Sequence, residues 1–159
     1  MKAAWACSIV AQIALSAESF VAGSVGTNNF ETARLGIDID YVHGRFVAFE
    51  RGWIHRGWGR TDSGSRLALA YLVAPHVAVA VGGVLTSHGS SPAIGVTVPI
   101  SRTTLVYGNY LTRSHATDLG MEHQVQLGPN WGAKFSGDVF VIAGTRALSV
   151  HGGLYWRLR

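Results

Sequence analysis

From residue 19 onward the sequence repeats with a period of two, and it is the contrast between the two resulting faces that most limits the fold. One face carries Leu67, Leu69 and Tyr71, then Val77, Val79 and Val81, then Ile94, Val96, Val98 and Ile100. Met121, Val125 and Leu127, Phe135, Val139 and Val141, and Leu148, Val150, Leu154 and Trp156 continue it. The other face carries Arg66, Ala68 and Ala70, Ala78, Ala80 and Gly82, Gly95 and Thr97, Glu122, Gln124 and Gln126, Lys134, Ser136 and Asp138, and Ser149, His151, Tyr155 and Arg157. Alternate residues of a strand point to opposite sides, so each set shares one face. A soluble sandwich would bury the large apolar face and wet the other. A wetted face, however, is dense in Lys and Glu, whereas this one is mostly Ala, Gly and a few charges of both signs. Charged residues are only 14% of the chain, against about 25% in an ordinary soluble domain. The pattern therefore suits a narrow enclosed interior surrounded by hydrocarbon.

The stretch "RLGIDIDY" (Arg34–Tyr41) shows the logic in miniature. Leu35, Ile37, Ile39 and Tyr41 alternate with Arg34, Gly36, Asp38 and Asp40. Mixed charges belong inside, because an enclosed charge needs a partner. The expected barrel-interior polar network is Arg34, Asp38, Asp40, Arg66, Glu122, Lys134, Asp138 and His151.

Ten strands are expected, near 19–27, 32–42, 45–56, 65–73, 76–86, 92–100, 102–112, 119–127, 131–142 and 146–158, with eight as the fallback count. Tight links at His43-Gly44, Ala74-Pro75, Ser101 and Gly128–Asn130 alternate with longer polar ones at 57–64, 87–91 and 114–118, the loop asymmetry of transmembrane barrels. Tyr41, Tyr71, Trp131 and Trp156 map to the short-turn ends of their strands, as an interfacial girdle would, and Trp53 and Trp58 map to the opposite rim. The run Leu67–Leu85 is long and apolar enough for a membrane helix. Its central Pro75-His76 and its alternating valines favour a hairpin instead.

Residues 1–17 read as a signal peptide, with Lys2, an apolar run from Ala3 to Leu15, and small residues before Glu18. Residues 18–159 then form one barrel domain. The single cysteine, Cys7, lies in the leader, which leaves no disulfide framework and no Cys-rich metal site. The net charge of +4 is compatible with nucleic acid, anionic lipid or lipopolysaccharide and selects none of them alone.

Taken together, signal, alternation, loop asymmetry and girdles resemble the small outer-membrane β-barrel proteins of Gram-negative bacteria, and the terminal "LYWRLR" partly looks like their closing strand. The resemblance covers Ser19 to Arg159 and rests on pattern, with no close motif match. It implies an all-β, antiparallel up-and-down transmembrane barrel in the cell outer membrane, inserted by the barrel-assembly machinery, with membrane lipid and lipopolysaccharide as partners and no nucleic acid.

Chemistry is sparse. There is no phosphate-binding glycine loop, no His-Glu-x-x-His zinc motif and no nucleophile elbow. The seven histidines show no metal-ligand spacing, so no metal or cofactor is expected. "TSHGSS" and "RSHATD" offer His88, Ser90, His115 and Asp118 as a candidate Ser/His/Asp set. Some barrels of the resembling class are lipid A deacylases or acyltransferases, although the deacylase pattern His-x-Ser-Asn is absent here. "RGWIHRGWGR" groups Arg51, Trp53, His55, Arg56, Trp58 and Arg60 as a candidate phosphate-binding cluster at the outer rim, since guanidinium forks bind phosphate and Trp favours the interface. Three functions follow: a structural, adhesive or lipopolysaccharide-binding barrel; a lipid A acyl hydrolase or transferase; and a narrow channel for small solutes.

Overall fold

The structure is a computed structural model, and it describes residues 19–30, 32–57, 59–74, 77–87, 89–101 and 103–158. The expected signal peptide lies outside the described residues. Ten strands form: β1 (Phe20–Asn28), β2 (Thr32–His43), β3 (Phe46–Gly57), β4 (Arg60–Ala74), β5 (Val77–Thr86), β6 (Gly89–Pro99), β7 (Thr104–Leu111), β8 (Ala116–Gln126), β9 (Trp131–Ile142) and β10 (Thr145–Arg157). Every strand pairs antiparallel with its sequence neighbours, and β1 pairs with β10, from Phe20 opposite Arg157 to Asn28 opposite Ser149. Closure leaves no sheet edge, which a wall surrounded by hydrocarbon requires, because an unpaired backbone group has no water to bond there.

The outer wall is apolar all the way round. Leu35, Ile37, Ile94, Leu119, Phe135 and Leu154 are each half or more exposed. A soluble monomer rarely shows a continuous apolar patch beyond a few hundred Å², so the medium against this wall is lipid and the barrel spans a membrane. One carboxylate breaks the belt. Among the described strand residues, Glu50 alone of the acids faces outward, and it accepts a 3.0 Å bond from Ser65 Oγ.

The end at which β1 begins is called the lower end here. It carries the aromatic girdle: Phe46 and Tyr71 lie 4.9 Å apart, and Trp131 and Trp156 stack at 6.3 Å with a 14° interplanar angle. Tyr41 stands beside them, well exposed. Trp53 is a correction, since its side chain lines the lumen and not the outer wall. The reason is parity: Trp53 lies two residues from Arg51 and four from Phe49, and all three share the inward face.

The expected loop asymmetry is also corrected. Upper links are two to four residues long, and so are the lower ones. The polar stretch after Gly57 keeps pairing, with Arg60 opposite Gly57 and Ser63 opposite Ile54, so β4 starts five residues before the expected 65. β6 and β8 likewise begin before their expected starts, at Gly89 and Ala116, and take in Ser90-Ser91 and Thr117-Asp118. Strands that rise past the bilayer into water no longer need an apolar outward face, so their upper ends read as loops. The upper link between β9 and β10 is a two-residue hairpin with φ of 48° at Ala143 and 81° at Gly144, positive at both positions as a turn matched to strand twist demands.

Neighbouring residues in β6 test the two faces. Val96 is exposed on the outer wall, and Thr97 lines the lumen. Val96→Arg is expected to cost about 2–4 kcal/mol of folding stability near the bilayer midplane, and Thr97→Arg less. A label at residue 96 should be quenched by lipid-soluble quenchers and one at 97 should not; equal quenching would mean the faces are misassigned.

Candidate functional site

The candidate site is the lumen. Its middle is crossed by charged side chains from opposite walls. Arg66 on β4 reaches Asp118 on β8 at 2.5 Å, spanning four strand positions in a ring of ten. Lys134 on β9 bonds Asp38 on β2 at 2.6 Å and Glu122 on β8 at 2.9 Å. Arg51 on β3 takes Asp40 with both terminal nitrogens and lies 3.7 Å from Asp38. Neutral groups complete the set. Gln124 donates to Glu122 at 2.6 Å, Asn109 to Asp118 at 3.1 Å, and Tyr107 to Asp138 at 3.4 Å. Arg34 donates to Ser149 at 2.9 Å and meets His151 Nδ1 at 3.0 Å, while His151 Nε2 pairs with Ser136 at 2.7 Å.

Small residues make this crowding possible. A Cβ added to Gly120 would fall 2.4 Å from the Tyr107 ring, and one on Gly132 would fall 2.5 Å from the Tyr155 hydroxyl. The cross-strand neighbours Arg51 and Arg66 are like charges side by side. They diverge, one to the β2 carboxylates and the other across the lumen, so each guanidinium meets a different carboxylate.

Apolar layers flank the charges. Below them lie Phe20, Ala22 and Tyr155, together with Val42, Val47 and Ala70, all buried. Above them Val84, Ala93, Leu111 and Ala116 are buried on β5 to β8, with Trp53 and Phe140 packed against them from β3 and β9. A cavity of about 660 Å³ runs from Phe20 through the charged middle and past the upper layer to the mouth, where Thr86, Ser90 and Arg113 line it. It touches Ala70, Ala78, Ala80 and Thr97 on one side and the charged residues of β2, β8 and β9 on the other.

Arg34, Asp38, Asp40, Arg66, Glu122, Lys134, Asp138 and His151 all line this cavity. The proposed rim cluster is split by strand alternation. Arg51, Trp53 and His55 point into the lumen, and Arg51 belongs to its ion-pair network rather than to the rim. Arg56 is exposed on the outer wall near the upper end. Trp58 lies outside the described residues, and of Arg60 only the backbone is described. The Ser/His/Asp set is not brought together. Asp118 is buried in the lumen on Arg66 and Asn109. His115 sits in the upper turn and bonds the outward Tyr110 hydroxyl at 2.8 Å. Ser90 is exposed at the upper mouth, and His88 lies outside the described residues. Among the described residues no group of His, Cys, Asp and Glu is placed to hold a metal ion.

Sequence reasoning did not single out Tyr107, Asn109 and Gln124 as network members. Gln124 is placed on the inner face by parity but not named in the network, whereas the faces of β7, and with them Tyr107 and Asn109, are left unassigned.

No protein-family model matches the chain, and no curated protein does. Among solved structures the KdgM porin superposes at a TM-score of 0.49 with 9% identity, covering 88% of this chain and 99% of that one. A de novo designed transmembrane β-barrel gives 0.45 with 13% identity over 89% and 96%. An anion-selective porin from Comamonas acidovorans gives 0.38 with 13% identity over 79% and 49%. The similarity is one of fold.

Lys134 is the residue on which the lower network turns, at 2% side-chain exposure between two carboxylates. Lys134→Met is expected to destabilise the barrel by about 3–5 kcal/mol, the usual penalty for orphaning a buried charge. Adding Asp38→Asn and Glu122→Gln should recover most of it. Urea unfolding in lipid vesicles measures both.

Proposed function

We propose that the protein resides in a bacterial outer membrane and acts through its wall and upper rim, as a structural or surface-binding barrel whose lumen is closed at rest. The observation that carries this reading is the set of ion pairs joined across the lumen. An open pore keeps charged groups apart with water between them, whereas here Arg66 bonds a carboxylate four strands away and Lys134 ties β9 to both β8 and β2. Small barrels whose interiors are filled by side chains are plugged in this way.

The upper end supplies a surface for an anionic partner. Arg56, Arg113 and Arg146 are exposed there on β3, on the turn after β7 and on β10. Guanidinium groups at the level of lipid headgroups suit the phosphates of lipopolysaccharide. The acyl hydrolase reading finds no support, because Asp118 is engaged inside the barrel while His115 bonds a residue of the outer wall. The channel reading is favoured by one observation, the cavity itself, which the network does not fill.

Arg56→Ala combined with Arg146→Ala is expected to weaken lipopolysaccharide binding, more at low salt than at high salt, where screening already weakens exposed pairs. Binding of labelled lipopolysaccharide to the detergent-solubilised barrel checks this. Equal binding at low salt would remove the rim from the proposal.

A further inference from the structure

The interior is lopsided. The strands from β8 round to β3 carry the bulky charges, Glu122, Lys134, Asp38, Asp40 and Arg51 among them. The strands β4 to β6 present Ala68, Ala70, Ala78, Ala80, Gly82 and Gly95 inward. Most of the network therefore closes over its own side of the barrel: Arg51 bonds carboxylates of the adjacent strand, and Lys134 is held by Glu122 and Asp38. The cavity occupies the lumen between this wall, which it touches at Ala70, Ala78, Ala80 and Thr97, and the charged side chains opposite. Among the described side chains of that wall, one charged group crosses it. Arg66 leaves β4 and ends on Asp118 of β8, just below the upper apolar layer, where Val84 is its cross-strand partner.

A second observation concerns the cavity's contents. Arg34 Nε, Arg66 Nε and Ser114 Oγ are buried with no protein partner, and all three residues line the cavity. Buried donors of this kind are met by solvent when the space is polar and roomy enough. A volume of about 660 Å³ holds on the order of twenty waters at about 30 Å³ each.

We infer that the strip along β4 to β6 is a conduit for small hydrated ions and small uncharged solutes, and that the Arg66–Asp118 pair is the bar that closes it. The lower network is then the fixed wall of the conduit. Opening requires Arg66 to leave Asp118, and the cavity beside the alanine wall gives its side chain room to fold back. Asp118 would retain Asn109, whose amide donates to it at 3.1 Å, so the carboxylate keeps a donor when the bar breaks, and solvent in the cavity would meet the freed guanidinium. The inference rests on the membrane-spanning reading. It is independent of the rim's partner.

Planar-bilayer recording tests it, using purified full-length barrel whose folding is first shown by heat-modifiable migration. Wild type should give rare, brief openings. Arg66→Met and Asp118→Asn should each give long-lived ohmic steps. The charge-swapped pair Arg66→Asp with Asp118→Arg should be quiet again, which separates a gate from general loosening. Lys134→Met with Asp38→Asn and Glu122→Gln should stay closed, because the lower network is not the bar. In the Arg66→Met background, Ala80→Cys should react with a membrane-impermeant thiol reagent that blocks the current. Folded Arg66→Met and Asp118→Asn proteins that remain silent would overturn the conduit. Wild-type openings as long as those of the variants, or a charge swap that conducts as they do, would overturn the bar. A chain that fails to insert into bilayers at all would instead overturn the membrane-spanning reading beneath both.

Discussion

Charge pairing across an enclosed, lipid-surrounded lumen is the constraint from which the rest of this barrel follows. Isolated buried charges cost several kcal/mol each even after relaxation, and a lumen walled off by hydrocarbon offers them little bulk water. Arg51, Arg66 and Lys134 therefore had to meet Asp38, Asp40, Asp118 and Glu122 within the barrel's own cross-section, while Arg34 and Asp138 are met by Ser149, His151 and Tyr107. The pairs can only form if the walls are close, and the walls are close because glycine and alanine take the positions facing the large side chains. Gly120 beside Tyr107 and Gly132 beside Tyr155 are the clearest cases. Closure of the sheet and closure of the lumen are in this sense one requirement: ten strands bring β4 and β8 near enough for a single arginine to bridge them.

The same requirement gives the interior its layers. Rings and aliphatic groups lie below the charged middle, and a second apolar layer lines the cavity above it on the way to the upper mouth. Low dielectric on either side strengthens each pair and raises the penalty for losing a partner. The lipid-facing wall needs only apolar bulk. Its one inconsistency is Glu50, whose carboxylate has Ser65 as its neighbour on the outside; we have no physical account of why it is there.

Much of the architecture was legible because the two faces differ at almost every step. The strand count, the antiparallel order and the identity of the inward charges all follow from a period of two. The errors came where chemistry was read by proximity in the sequence instead of by parity. Arg51, Trp53, His55 and Arg56 are near one another in the chain and look like one cluster, yet alternation sends the first three inward and the last outward. His115 and Asp118 are three apart and were grouped in the same way, but one belongs to a turn and the other to the lumen. The upper strand ends were taken for loops because polar residues there satisfy water and the sheet at once.

By itself the sequence determined alternating strands with apolar bulk on one face and small or oppositely charged residues on the other, which favours a barrel in lipid over a sandwich because the second face lacks the dense Lys and Glu of a wetted surface. It also determined that the interior charges would need one another. Which carboxylate each cation takes was decided only by the tertiary structure. Partners such as Lys134 and Asp38 are separated by 96 residues, and their meeting depends on the tilt and stagger of strands around the ring, a quantity no local pattern encodes.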